Sequence, residues 1–251
     1  MFIHHKELLV PVKVDTPNPR FGQMLLEQFG GATGELTAGL QYFVESFHVN
    51  DSGIKEMLLD IATEEFGHLE MVGKLIELHT SGEAKIKAEE SPLFAMRGKG
   101  PHFLDSQGVA WSATYINEGG SVVRDLRANI AAEAGARQTY ENLIINCPDE
   151  GSKKALIHLL TREVAHTHMF MEALASMDKL TDPFFGDIAP DETVNVFYHM
   201  SLNGKEMRGP WNSEPNFRYV ANPLEHRLDV GEPGKQISPP KVHVTHAGDR
   251  R

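Results

Sequence analysis

Two short motifs in the chain pair a glutamate with a histidine at the spacing of one helical turn. They are Glu65-Phe-Gly-His68 and Glu163-Val-Ala-His166. Residues three apart lie on one face of an α-helix, so each pair can direct a carboxylate and an imidazole at the same metal ion. A single pair is weak evidence, because a chain of this size and composition contains about one by chance. A third pair, Glu45-Ser-Phe-His48, is interpreted as that chance occurrence.

Two further glutamates strengthen the case through their spacing. Glu35 precedes Glu65 by 30 residues, and Glu133 precedes Glu163 by the same 30, so the two sets repeat at an offset of 98 residues. About 15 residues up one helix and 15 down the next, at about 1.5 Å each, bring the two members of each set to one height. Four carboxylates and two imidazoles at one height predict a dinuclear metal site in a helical bundle. Hard oxygen ligands with some imidazole favour iron or manganese.

Four helices are predicted to carry these residues. Hydrophobic periodicity and capping residues place them at about 19–48, 54–79, 121–145 and 153–177. Turns near residues 50 and 149 make two hairpins, and the less regular stretch between them is a long crossover connection. The fold class predicted is an all-α four-helix bundle. The apolar residues expected on the buried stripe of the first helix are Met24, Leu25, Leu36, Leu40, Phe43 and Phe47.

The chain is expected to divide into a bundle and an arm. The bundle is assigned to residues 1–179, including the N-terminal segment 1–17 and the crossover 80–120. Residues 180–251 contain eight of the 14 prolines, so they cannot form regular helix. They are predicted to form an extended arm, with a few short strands, that wraps the bundle or a neighbouring subunit.

The composition excludes several classes of function. A net charge of −11 without a basic block argues against nucleic acid as a partner. No apolar stretch approaches the roughly 18 residues of a membrane span, and the N-terminus lacks the apolar run of a signal peptide. A single cysteine, Cys147, excludes an intrachain disulfide, so a cytoplasmic location is expected.

The sequence around the paired motifs resembles the manganese (non-haem) catalases of the ferritin-like superfamily. The matching segments are 26–36, 64–71, 131–137, 162–166 and 204–212. The resemblance spans nearly the whole chain and implies a ferritin-like bundle that binds two manganese ions per subunit. The ligands it implies are Glu35, Glu65, His68, Glu133 and His166. In that pattern Glu65 and Glu133 bridge the ions, while Glu35 and both histidines are terminal.

The resemblance also implies a reaction and two catalytic residues. The reaction is disproportionation of hydrogen peroxide into dioxygen and water. Glu163, which spacing alone would make a ligand, is implied to lie just outside the ligands and to store protons. Tyr42, two helical turns after Glu35 and therefore on its face, matches a tyrosine close to the ligands. Some members carry arginine directly before the residue that matches Glu133, where this chain has Ala132; this departure concerns hydrogen bonding and access, not the ligands.

Other functions and partners stay open at this stage. The alternatives are a di-iron ferritin-like oxidase or iron store and a structural relative of the spore-coat type. The resemblance implies a homo-hexamer. Glu56 and Asp60, one turn apart, are a candidate calcium site together with the Trp211-Asn-Ser loop, as in some relatives. Solvated acidic side chains on an exposed face are the competing interpretation of that pair.

Overall fold

The computed structural model describes residues 3, 5–82, 84–201 and 203–223. The chain divides into two compact units, of which the first ends at Pro183 and the second begins at Phe184. Residues 224–251 of the predicted arm lie outside the described residues. The wrapping role of the arm therefore stays a prediction.

The first unit is the predicted four-helix bundle. Its helices are α1 (Pro19–Gly30), α2 (Glu35–Glu45), α3 (Ser52–His79), α4 (Pro92–Arg97), α5 (Val122–Asn146) and α6 (Glu150–Ser176). Short 3-10 turns occupy Ser46–His48 and Ala113–Tyr115. Helix α2 packs against α3, and α5 packs against α6, so the two hairpins form as predicted.

Polar caps place the beginnings of the long helices. The Asn18 side chain accepts a hydrogen bond from the backbone N–H of Phe21, directly before Pro19 opens α1. Asp51 caps α3 and Asp149 caps α6 in the same way. Each such cap contributes about 1 kcal/mol to helix stability. Because each hairpin turn ends at a capping aspartate, the first residue of the second helix in each hairpin is fixed.

The prediction of one continuous first helix was wrong, because the chain breaks between α1 and α2. Gly31 and Gly34 are both extended, with ψ of 170° and 172°. A Cβ atom at Gly34 would lie 2.7 Å from the backbone oxygen of Gln28, so only glycine fits this close approach. The break makes Glu35 the first residue of α2.

The buried face of α2 also differs from the prediction. Leu36, Leu40 and Phe43 are only half-buried, and Phe47 is 64% exposed. The face that points inward is polar instead, and it consists of Glu35, Thr37, Gln41, Tyr42 and Glu45. The apolar periodicity therefore identified α2 as a helix but not its inward side, because the inward side carries the site.

Two layers of buried apolar side chains lie on either side of residues 65–68 and 163–166. The first layer includes Leu25, Met71, Leu75, Tyr140, Leu156 and Leu159. The second includes Tyr42, Leu58, Ile61, Leu126, Phe170 and Leu174. The charged residues between them are thus enclosed by hydrocarbon, where an unpaired charge costs several kcal/mol.

The crossover and the second unit contain little regular structure. Between α3 and α5 the chain forms helix α4 and one antiparallel bridge that joins Leu104 to Ala110. The second unit contains two short parallel strands, β1 (Val196–Tyr198) and β2 (Arg218–Val220). No helix in the described part of the chain has the length and apolar character needed to cross a membrane.

Candidate metal centre

Four glutamates and two histidines converge at the centre of the bundle, as the spacing predicted. They form two clusters whose ligand atoms lie within 4.8 Å of one another. The first cluster consists of Glu35, Glu65, His68 and Glu163. The second consists of Glu65, Glu133, Glu163 and His166. All six side chains are buried, and Glu65 and Glu163 belong to both clusters.

The two imidazoles face each other across Glu65. His68 Nδ1 lies 2.8 Å from Glu65 Oε2, and His166 Nδ1 lies 2.8 Å from Glu65 Oε1. The rings are stacked, with their centroids 5.6 Å apart. Each oxygen of one carboxylate therefore faces the Nδ1 atom of a different histidine.

Two tyrosines join the glutamates of opposite hairpins. Tyr42 on α2 donates a hydrogen bond of 2.6 Å to Glu133 Oε1. Tyr140 on α5 donates a hydrogen bond to Glu35 Oε1. Tyr42 was expected near the ligands from the sequence, whereas Tyr140 was not. The signal was present, because Tyr140 follows Tyr42 at the same 98-residue offset that relates the glutamates.

Burial raises the pKa of three of the four carboxyl groups. It raises the pKa of Glu35 to about 8 and that of Glu133 to about 7, and the charge of Glu65 adds to both effects. Burial and the charge of Glu65 also place the pKa of Glu163 well above its usual value. Burial acts in the same direction on Glu65, but contacts with the two histidines outweigh it and lower the pKa of that carboxyl. The metal-free site thus holds protons that a cation must displace.

The pattern of unpaired atoms fits a metal site. Glu65 Oε1, Glu133 Oε2, Glu163 Oε1 and His166 Nδ1 are buried without a hydrogen-bond partner. Glu65 Oε1 and His166 Nδ1 are near each other but lack hydrogen-bond geometry. Buried polar atoms are normally paired, so four unpaired ligand atoms in one place require an explanation. Divalent cations supply one, because carboxylates and imidazole are ligands suited to iron or manganese.

A cavity of about 320 Å³ lies between α2 and α5, and its lining includes Tyr42 and Glu133. Most of its other walls are small side chains, namely Ala32, Ala38, Ala128, Ala131, Ala132 and Ala136. Gln41, Tyr115 and Asn117 also line it. Ala132 thus borders a cavity that reaches a buried glutamate of the site.

The third Glu-x-x-His pair, Glu45 and His48, does not join the centre. Glu45 is buried, accepts a hydrogen bond of 2.6 Å from Asn129, and has a pKa that burial raises to about 8. His48 is exposed and belongs to neither of the two clusters found among the described residues. The chance interpretation of this third pair therefore agrees with the geometry.

The candidate calcium residues do not form a cluster of their own. Glu56 and Asp60 belong to neither group of potential metal-binding side chains in the described part of the chain. In the second unit, Asn212 accepts a hydrogen bond of 2.7 Å from the Gly209 N–H and donates one of 3.1 Å to the Met207 carbonyl. The calcium site stays a prediction.

Metal-free protein is expected to lose stability as the pH rises from about 5.5 to about 8. Folded Glu35 and Glu133 hold protons up to pKa values of about 8 and 7, whereas unfolded carboxyls release them near 4.5. The unfolded state therefore binds fewer protons, and each proton of difference lowers the free energy of unfolding by about 1.4 kcal/mol per pH unit. Carboxylate contacts, acting against burial, raise the pKa of His166 to about 9, which adds to the loss above 6.5.

Thermal unfolding of metal-stripped protein, followed by circular dichroism across this range, measures the effect. If the folded state binds one proton more than the unfolded state over two pH units, the free energy of unfolding falls by about 3 kcal/mol. This corresponds to a fall in Tm of about 6 °C or more. Excess Mn²⁺ is expected to restore most of the loss, because a cation replaces the protons. A Tm of the metal-free protein that stays level or rises with pH would contradict the prediction.

The fold and the site together define a class of protein. One glutamate comes from each of α2 and α5, and a Glu-x-x-His motif comes from each of α3 and α6. This is the arrangement of the carboxylate-bridged dinuclear metalloproteins of the ferritin-like class. Residues 1–247 match the sequence pattern of the family described as "Manganese containing catalase". The chain belongs to the manganese catalase family.

Individual relatives agree with this placement. A "Probable manganese catalase" of Clostridium acetobutylicum is 35% identical over 222 residues, which cover 86% of this chain and 98% of that protein. A "Manganese catalase" of Bacillus subtilis is 30% identical and covers 99% of both chains. KatB, a manganese catalase from Anabaena with a known crystal structure, is 67% identical in sequence to this chain, and the two structures superpose with a TM-score of 0.85. It covers 89% of this chain and 100% of that chain.

Proposed function

We propose that the chain disproportionates hydrogen peroxide into dioxygen and water at a pair of manganese ions held in the bundle. The observation that carries the proposal is the presence of two adjacent buried clusters of potential ligands that have the proposed ligand Glu65 in common. Two ions that share carboxylates can be held at the roughly 3.5–4 Å separation typical of dinuclear sites. The family membership supplies the substrate and the metal.

The proposed ligands are the five residues assigned from the resemblance: Glu35, Glu65, His68, Glu133 and His166. When bound, manganese supplies the redox chemistry, taking two electrons from one peroxide and passing two to the next. The ligand residues hold the charge of the pair in a place that hydrocarbon shields on both sides. Anionic oxygen atoms from three glutamates neutralise most of that charge, which makes burial of the pair tolerable.

Glu163 is the proposed proton carrier. Oxidation of peroxide to dioxygen releases two protons, and reduction of peroxide to two waters consumes two. Glu163 is buried, its pKa is raised, and its Oε1 has no hydrogen-bond partner. A carboxyl group with these properties can hold one of the two protons between the half-reactions and return it to the next peroxide, while the other proton exchanges with solvent.

Tyr42 is proposed to act by positioning Glu133. Its hydroxyl donates to Glu133 Oε1, so it directs that carboxylate and leaves Oε2 free. Tyr140 holds Glu35 in the equivalent way in the other half of the repeat. Burial raises the pKa of both phenols well above 10, with the neighbouring glutamates adding to the effect, so both hydroxyls stay donors.

Oxygen evolution from hydrogen peroxide, with manganese and iron quantified in the same purified sample, tests the proposed function. We expect vigorous oxygen evolution, no haem, and close to two manganese ions per chain. Two irons per chain with little oxygen would replace the proposal with an oxidase or an iron store. No bound metal after expression in manganese-supplied cells would favour a structural role.

The cavity between α2 and α5 is the proposed route for peroxide. Replacing Ala132 by phenylalanine is expected to lower kcat/KM for peroxide by about tenfold, equal to about 1.4 kcal/mol, because a large ring would occupy part of this cavity. The manganese content is expected to stay unchanged. Ala134→Phe, on the exposed side of the same helix, is the matched control. Equal kcat/KM in Ala132→Phe and wild type would exclude this route.

We also propose a homo-hexamer, with residues 180–251 contributing to subunit contacts, and a cytoplasmic location. The family resemblance supports the oligomer, and the presence of a single cysteine supports the location. Light scattering of the purified chain tests the oligomer. We also propose that Glu56 and Asp60 bind calcium, which calcium titration of the Glu56→Gln variant against wild type tests.

A further inference from the structure

The sides of the two imidazoles that face away from the centre meet a carboxylate that the proposed ligand set does not include. His68 Nε2 lies 3.5 Å from Glu64 Oε1, and His166 Nε2 lies 3.2 Å from Glu64 Oε2. Glu65 faces the Nδ1 atoms of the same two rings. Two consecutive glutamates of α3 therefore enclose both histidines, with one carboxylate on each side.

Glu64 is itself held by an arginine from the other hairpin. Arg162 donates from Nε to Glu64 Oε1 at 2.6 Å and from Nη2 to Oε2 at 3.3 Å. The side chain of Glu64 is 26% exposed and that of Arg162 is 28% exposed. A two-pronged guanidinium–carboxylate pair has a defined geometry, which a lone exposed glutamate would lack.

These two residues occupy equivalent places in the 98-residue repeat. Glu64 directly precedes Glu65, and Arg162 directly precedes Glu163. The repeat brings the two positions together in space, where identical residues would place two like charges in contact. The chain departs from the repeat here and carries opposite charges instead.

We propose that Glu64 and Arg162 form a positioning pair that orients both histidines toward the manganese ions. The inference rests on the proposed function. The Glu64 oxygens lie 3.5 and 3.2 Å from the two Nε2 atoms, neither of which has a hydrogen-bond partner in the metal-free chain. A small shift on metal binding would let Glu64 accept the Nε2–H of each imidazole, which leaves the lone pair of each neutral ring on Nδ1, the atom that faces the cluster. Arg162 keeps the Glu64 carboxylate from turning toward solvent. Histidines that bind metals commonly donate their other N–H to a carboxylate, and loss of that partner costs about 10–100-fold in metal affinity or activity.

The sharing of one carboxylate has a specific consequence. Where each histidine has its own partner, a change in one partner affects one ion. Here a single substitution at Glu64 removes the support of a histidine in each cluster. Both manganese ions are therefore expected to leave the protein faster, rather than one alone.

The test uses manganese-loaded protein with Glu64→Gln. The amide keeps the size of the side chain, but its NH₂ group presents hydrogen to one imidazole N–H. We expect manganese release into a chelator to be about 10–100-fold faster for both ions, with a changed electron paramagnetic resonance spectrum of the pair. Arg162→Lys keeps the positive charge but loses the two parallel hydrogen bonds to Glu64. We expect a smaller increase in its manganese release rate.

Lys153→Gln is the matched control, because it removes an ion pair with Glu150 on the same helix as Arg162. Its release rate is expected to equal that of wild type. A purely structural role would lower the Tm of the metal-free Glu64→Gln protein and leave its release rate and spectrum unchanged, and that result would overturn the inference. If Glu64→Gln does not fold, Arg162→Lys serves as the test instead, and a manganese release rate equal to that of wild type would overturn the inference. Wild-type protein that binds no manganese would instead refute the proposed function.

Discussion

Replacing Glu65 by glutamine is expected to remove both manganese ions and to lower oxygen evolution by at least roughly 10³-fold, equal to about 4 kcal/mol. Glu65 belongs to both clusters, and each of its oxygens faces the Nδ1 atom of a different histidine. The glutamine removes the negative charge that the two ions would share. It also directs an NH₂ group at an imidazole that has to present a lone pair to the metal.

Manganese per chain and the rate of oxygen evolution, measured on one preparation, check this expectation. Glu77→Gln is the control, because Glu77 lies on the same helix but forms an exposed ion pair with Lys74. The control is expected to keep its metal and its activity. A Glu65→Gln protein that keeps two manganese ions would mean that Glu65 does not bridge the pair.

Metal-free Glu65→Gln protein is expected to fold, which separates loss of metal from loss of structure. The remaining acids of the site, Glu35, Glu133 and Glu163, have pKa values that burial and the charge of Glu65 raise. Removing that charge relieves part of the repulsion among the carboxylates. Circular dichroism of the metal-free variant is therefore expected to show the helical content of the wild type.

The centre of the site could be predicted because helix geometry converts spacing directly into position. Glu35 and Glu65 are equidistant from their hairpin turn, and so are Glu133 and Glu163, which is sufficient to bring all four to one height. The apolar layers on either side follow from the same register. No long-range contact has to be known for this step.

The parts that were missed depend on contacts between chain segments. The break before Glu35 brings Gly34 so close to the carbonyl oxygen of Gln28 that a Cβ atom would not fit there, and helical periodicity does not encode such a contact. The polar inward face of α2 was missed for a related reason. Leu36 and Leu40 fit the apolar period, but the ligands on the other side of the helix determine which face is buried.

Tyr140 and the Glu64–Arg162 pair were missed because the repeat was applied only to residue types that bind metals. Extending the 98-residue offset to every polar residue identifies Tyr140 at once. It also places Glu64 and Arg162 at equivalent positions, although their direct contact follows only when the two hairpins are packed together. An internal repeat thus predicts the residues that support a site as well as those that form it.

Replacing Glu163 by glutamine is expected to separate proton transfer from metal binding. The structure places Glu163 in both clusters, beside the glutamates proposed as ligands. If it carries protons, Glu163→Gln keeps about two manganese ions per chain while kcat falls by about 10²–10⁴-fold, the usual contribution of a positioned acid or base. If it is a ligand, the variant loses metal as Glu133→Gln is expected to do.

Stability provides an independent measurement on the same variant. Burial and the charge of Glu65 raise the pKa of Glu163, so its ionisation opposes folding of the metal-free protein at about pH 8. Glu163→Gln is therefore expected to raise the Tm of metal-free protein at that pH, whereas Glu172→Gln, an exposed change on the same helix, is expected to leave it unchanged. If Glu163 carries protons, the Glu163→Gln protein combines a higher Tm of the metal-free form with retained manganese and a low kcat. Manganese loss with that higher stability would reassign Glu163 as a ligand, because the same buried carboxyl would then be required by the metal rather than by the proton.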